Sequence, residues 1–226
     1  MELVFHGHSC FSIKTSRYHI LIDPYIDENP LAKIKAEELA PDFLLLTHGH
    51  DDHLGDTLAI AKAANPLIIA PTELAGWCES KGLRTHAMYM GSAAFPFGKL
   101  TMVFASHGSS IQEDGERLYG GLACGYVLEL EGKRIYHAGD TGIFGDMKLL
   151  SGRRSVDVAL LPIGGNFTMD PEEALEAAKL IRAGLTIPMH YNTFPLIRQD
   201  GAKFVESLKT IGLKSLMLEP EEVLEL

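Results

Sequence analysis

The chain has 226 residues, with 46% apolar and 22% charged positions, which suits a soluble globular protein with ample core. Its formal net charge of -10, with 30 acidic against 20 basic residues and no basic run, argues against a polyanionic partner such as nucleic acid. No apolar run reaches the length of a membrane span, and the three scattered cysteines (Cys10, Cys78, Cys124) do not make a disulfide framework.

In chain order, Leu3–Phe5, Cys10–Lys14 and His19–Ile22 are rich in β-branched and aromatic residues and predict a β-meander. The N-terminal residues lack the basic region and apolar core of a signal peptide, so a cytoplasmic protein is expected. Asp23 reads either as a turn former or as an outer carboxylate that steadies a metal loop. Residues 28–40 contain Pro30 and then a polar, helix-like run. Phe43–Leu46 predicts a short buried strand, and Leu54–Ala64 a helix.

Between them lies Thr47-His48-Gly49-His50-Asp51-Asp52-His53. Imidazole and carboxylate donors this dense repel one another unless a cation organises them, and they suit zinc and similar divalent ions. His48 and His50, two apart in an extended loop, can chelate one ion. Asp52 and His53, at the helix start, can reach a second.

Further on, Pro66–Ala70 reads as a strand and Thr72–Lys81 as a helix, with Thr72 as its N-cap and Trp77 as a packing residue. Residues 84–90 and 99–105 are strand-like, and His107 follows the second directly. Ile111–Gly121 is polar and glycine-rich and is expected to form a mobile loop over the site. Residues 123–130 and 134–136 predict a hairpin, after which glycines flank Asp140. Val156–Ile163 predicts a buried central strand. Asp170-Pro171 then starts a helix that runs to about Ala183. His190 follows Thr186–Met189, residues 199–211 form a last amphipathic helix, and 215–218 and 223–226 are short strands.

His48-x-His50-x-Asp52-His53 resembles the HxHxDH signature of the metallo-β-lactamase superfamily. Leu21-Ile22-Asp23-Pro24, Ala105-Ser106-His107, His137-Ala138-Gly139-Asp140-Thr141 and Pro188-Met189-His190-Tyr191 resemble that family too, in the same order. Gly7-His8 and the run His190 to Pro195 are similar to a small group of metal-dependent hydrolases related to ascorbate-6-phosphate lactonases. The resemblance implies an α/β fold: a four-layer αβ/βα sandwich of two mixed sheets with helices on both outer faces. With no linker to split the chain, residues 1–226 are expected to form a single domain.

The resemblance further implies one ion at His48, His50 and His107, a second at Asp52, His53 and His190, and Asp140 as the bridge. Two divalent ions are expected, zinc by preference, with manganese or iron able to replace it. A hydroxide shared by ions about 4 Å apart would cleave a small ester, lactone or phosphoester. Asp52 and His8 are assigned to catalysis, His8 as a loop donor that overhangs the site, although a plain turn histidine is the other reading. Asn192 and Thr193 are read as pocket-lining. His137 is a strand-end residue, and His6, His19 and His86 are structural or exposed. His50 departs from the glutamate of the diiron flavoproteins, and Asp140 from lactamases with cysteine there. The competing class is a non-catalytic metal-binding or regulatory protein on the same fold. The partner expected is a small-molecule substrate, with neither nucleic acid nor membrane, and a homo-oligomer is compatible with the sequence.

Overall fold

A computed structural model describes residues 1–152 and 154–226. The chain opens with an antiparallel meander of β1 (Glu2–Gly7), β2 (Cys10–Lys14) and β3 (His19–Ile22). Three parallel additions follow: β4 (Phe43–Leu45), then β5 (Leu67–Pro71) and β6 (Thr85–Met88). The crossovers carry α1 (Asp51–Leu54), α2 (Thr57–Ala64) and α3 (Thr72–Ser80). The second half repeats this plan. β7 (Gly91–Phe95), β8 (Gly98–Phe104), β11 (Cys124–Leu130) and β12 (Lys133–His137) are antiparallel. The hairpin β9 (Ser110–Glu113) and β10 (Glu116–Tyr119) interrupts them as a separate two-stranded ribbon. β13 (Val158–Pro162) and β14 (Leu185–Met189) add in parallel, with α4 (Pro171–Ile181) between them. After α5 (Gly201–Thr210), β15 (Val223–Glu225) returns to pair with β1.

The result is a seven-stranded mixed sheet facing a six-stranded mixed sheet. Between them pack Phe5, Phe11, Ile20 and Leu45 of the first and Leu100, Tyr126, Leu128 and Ile135 of the second. On the outside of the first sheet, Leu21, Leu44 and Ile68 lie under Ile60, Leu74 and Cys78 of α2 and α3. α4 and α5 cover the second sheet through Ala174, Ala177, Ile181, Phe204 and Leu208. α4 starts where the sequence says it does. The Asp170 carboxylate accepts from the amides of Glu172 and Glu173, and Pro171 occupies the first turn.

Several local expectations are corrected. The helix expected over Leu54–Ala64 starts only at Thr57; Leu54 ends the separate short helix α1, and the chain breaks at Gly55, whose φ is +39°. A Cβ there would lie 2.4 Å from the Pro24 carbonyl oxygen, which instead accepts from the Asp56 amide. The helix-like stretch 28–40 forms only a 3-10 turn at Ala36–Glu38. Asn29 Oδ1 takes the Leu31 amide and Asp27 Oδ1 the Ala36 amide, so side chains capture donors that a helix would need. Pro71, not Thr72, caps α3, and the Thr72 hydroxyl donates to the Met88 carbonyl.

The span 84–105 holds three strands rather than two, because Gly91–Phe95 pairs with β8 despite its weak strand composition. Residues 111–121 are not an irregular loop but the β9–β10 hairpin, turned at Asp114-Gly115 with both residues at positive φ. Trp77 Nε1 donates to Glu113 and ties that hairpin to α3. Of the strand expected at 215–218, a single bridge from Ser215 to Thr186 forms.

A buried polar chain occupies the outer side of the meander. Ser12 Oγ lies 2.8 Å from His6 Nε2 and 2.7 Å from His19 Nε2, and His6 Nδ1 lies 2.9 Å from Glu221. Burial lowers both histidines, His6 against the pull of Glu221 and His19 to about 4, where Lys14 adds to the effect. In the unfolded chain these imidazoles take a proton near 6.5. Between pH 6.5 and 4 the unfolded state therefore binds more protons, and stability falls as pH falls. We expect denaturant midpoints to drop from pH 7.5 to pH 5, with the His19 share on the order of 1 kcal/mol. His19→Gln should shallow that slope, and an unchanged slope would show that His19 carries none of it.

Candidate metal centre

Five strand ends converge on one point between the sheets. His48, His50, Asp52 and His53 follow β4, His107 follows β8, Asp140 follows β12, His190 follows β14, and His8 comes from the β1–β2 turn. Donor atoms of His48, His50 and His107 lie within 4.8 Å of one another. So do those of Asp52, His53, His190 and His8, and those of His48, His53 and Asp140. The seven residues expected as ligands are thus brought together in three overlapping groups, with Asp140 near His53, His107 and His190. His8, expected to overhang, lies inside the second group and is fully buried.

Asp140 Oδ2 lies 2.9 Å from His190 Nε2 and 3.7 Å from His107 Nε2, and Oδ1 lies 3.2 Å from His53 Nε2. Yet His53 Nε2, His190 Nε2 and Asp140 Oδ1 are buried and meet no hydrogen-bond geometry. Buried polar atoms left this way cost stability unless something else satisfies them. Three such atoms from three strand ends, all of ligand type, fit a divalent cation.

The supports are equally specific. Asp23, fully buried, takes the Thr47 amide at 2.8 Å and the Thr47 hydroxyl at 2.6 Å, and accepts from His53 Nδ1 at 2.8 Å. It therefore acts as the outer carboxylate of the loop, fixing the tautomer that turns His53 Nε2 inward. His8 Nε2 lies 3.1 Å from Asp52 Oδ2. A carboxylate only accepts, so this nitrogen donates, and Nδ1 takes the Thr193 hydroxyl proton at 2.8 Å. His137 spends both nitrogens locally, on the Ser9 carbonyl and the Gly139 amide. At Gly139 φ is +61°, and a Cβ would lie 2.5 Å from the Cys124 carbonyl oxygen, so only glycine lets the chain deliver Asp140 here.

Charge in the cluster is arranged around its two carboxylates. Burial lowers His48, His50 and His107 from their ordinary value. Burial opposes protonation of His53 and His190 too, but Asp140 outweighs it and, with Asp23, raises His53, while His190 rises to about 9. Burial pushes Asp140 and Asp52 up, yet the neighbouring His190 and His53 hold both well below the usual carboxylate range. His8 falls to about 4 through burial and the adjacent His190. Positive charge is thus drawn to the spot between Asp52 and Asp140.

Sequence reasoning does not reach several residues around the centre. Tyr25 and Phe194 pack edge-on against the His8 ring at 5.6 and 5.5 Å. Phe167 and Leu196 stand beside the donors, and Arg117 and Gln112 of the hairpin line an adjoining cavity. Of the two residues read as pocket-lining, Thr193 holds His8, while Asn192 Oδ1 takes the Gln199 amide. His8, Asp23, His190 and Asn192 all have φ between 46° and 63°, the left-handed region that costs non-glycine residues energy.

A beta-lactamase superfamily domain matches residues 18–191. A metal-dependent hydrolase of Anoxybacillus flavithermus is 50% identical over 214 residues, which cover 94% of this chain and 95% of that protein. One of Enterococcus faecalis is 49% identical over 226 residues, 99% of each chain. A metallo hydrolase of the archaeon Ignicoccus hospitalis superposes with a TM-score of 0.90 at 35% identity, covering 100% of this chain and 98% of its own.

Proposed function

Because the chain belongs to the β-lactamase superfamily and is a metal-dependent hydrolase, we propose that it cleaves a small ester, lactone or phosphoester at a centre of two divalent ions. His48, His50 and His107 would hold one ion, Asp52, His53 and His190 the other, and Asp140 would face both. The observation that carries this reading is the trio of unsatisfied buried atoms, His53 Nε2, His190 Nε2 and Asp140 Oδ1, at a single point. Nitrogen and oxygen donors with no thiolate suit zinc, and equally admit manganese or iron. Such ions supply a hydroxide at neutral pH and take up charge that develops on the substrate and the leaving group.

The chain's own groups arrange the rest. Asp23 locks the ring of His53, and Thr193 with Asp52 locks that of His8. Tyr25 and Phe194 pack edge-on against the His8 ring and brace it. A small substrate is supported by two adjoining cavities of about 400 Å³ each beside the donors. Three unpaired, buried cysteines agree with a reducing compartment such as the cytoplasm. Elemental analysis of carefully prepared protein should return close to two divalent ions per chain. A screen of esters, lactones and phosphodiesters should find activity that a chelator removes and added metal restores. Protein without metal under saturating conditions, or turnover indifferent to chelator, would overturn the proposal.

A further inference from the structure

We infer that the substrate carries an apolar group beside its scissile bond, and that Phe167 and Leu196 select for it. This rests on the hydrolytic reading above and narrows its substrate class. One of the two cavities, about 400 Å³, has the donor group as one wall and Phe167, Phe194 and Leu196 as the other. Phe167 is 51% exposed and Leu196 68% exposed, although each has the size and character of a core residue.

Their exposure is held in place by the backbone. Leu196 sits in a 3-10 turn, Pro195–Ile197, anchored by the fully buried Ile197. Phe167 sits at the tip of a turn in which the Gly165 amide donates to the Met169 carbonyl and the Met169 amide to the Thr141 carbonyl. Met169 is itself fully buried. Two anchored turns, at the carboxyl ends of β13 and β14, therefore present large apolar side chains to the donor cluster from the solvent side.

The adjoining cavity differs in chemistry. It shares His50, Asp52 and Phe194, but its outer wall is Ser110, Gln112 and Arg117. A bond placed at the shared residues has a polar side toward the hairpin and an apolar side toward Phe167 and Leu196. An acyl or aryl group is better matched by the second, whose outer wall is Phe167, Phe194 and Leu196 with no charged or amide group among them.

The test uses metal-loaded protein and a series of straight-chain hydroxamic acids from acetyl to octanoyl, titrated calorimetrically. The hydroxamate grips a divalent ion and the tail probes the cavity. Affinity should rise roughly two- to threefold per methylene over the first members, somewhat under the gain for complete burial. The octanoyl-to-acetyl ratio should fall at least about tenfold in the double variant Phe167→Ser, Leu196→Ser, and Phe167→Leu should keep it. A ratio near one in the native protein, or an unchanged ratio in the double serine variant, overturns the inference. The same chain lengths, run as p-nitrophenyl esters, separate the two proposals. A steep hydroxamate series with no hydrolysis of any ester, lactone or phosphoester removes the hydrolytic reading and leaves, of this inference, only an apolar subsite beside the donors. A flat hydroxamate series with ester hydrolysis indifferent to chain length removes this inference alone.

Discussion

Asp140→Asn is expected to lower kcat/KM by at least about 10³-fold and to reduce bound metal, while the protein still folds. Asp140 is 2% exposed and presents its two oxygens to His190, His107 and His53. The amide has nearly the same shape, so packing survives. Its charge is gone, however, and one oxygen becomes an NH2 that can no longer accept. The cluster's formal negative charge then falls to that of Asp52 alone among its proposed ligands. Metal analysis beside kinetics on a substrate from the screen reads the outcome. A variant with two ions and native turnover would mean that Asp140 does not bridge.

His190→Ala is expected to lose one ion per chain and activity by a similar factor, whereas His8→Ala keeps both ions and loses roughly 10–100-fold in rate. Both rings are buried in the same donor group, with centroids 4.1 Å apart. Their nitrogens differ. His190 Nε2 has no hydrogen-bond partner, while His8 donates to Asp52 from one nitrogen and accepts from Thr193 at the other. A ligand needs a nitrogen that no other group has claimed, which His190 has and His8 does not. His190 also lies at φ +53°, so His190→Asn, a residue that tolerates this conformation, controls for backbone effects. If His8→Ala loses metal, His8 is itself a ligand. If it retains full metal and full activity, it is only a packed turn residue.

What is local was readable from sequence. The β-branched and aromatic runs between Leu3 and Ile22, the apolar run Val156–Ile163 and the Asp170-Pro171 cap each act within a few residues, and an element forms at each, the strand in 156–163 trimmed to Val158–Pro162. The grouping of donors came from the resemblance in motif order, and His48, His107, Asp140 and His190 do each follow a strand. What depends on distant neighbours was not readable. Gly55 breaks a helix because of the Pro24 carbonyl, and no periodicity in 54–64 carries that contact. The hairpin at 110–119 was missed although Asp114-Gly115 marks its turn, because its short strands send only the pair Ile111 and Leu118 to the core, too few to set an alternation. Phe167 and Leu196 left no trace, since an apolar residue bound for solvent looks like one bound for the core. The left-handed backbone at His8, Asp23 and His190 was invisible because none is glycine.

The His190 amide donates to the His8 carbonyl, so the first turn of the chain and the end of β14 close the site together. On a ribosome these two meet late. About 80 residues separate His107 from His190, roughly 4–17 s of synthesis at 5–20 residues per second. For that interval the trio His48, His50 and His107 exists without the donor that completes its neighbour. β14 must dock beside β13 before the second group has its last nitrogen. With the proposed ligands, full metal loading would come at the end of folding, and a refolding experiment that follows metal uptake would read the docking of a single strand.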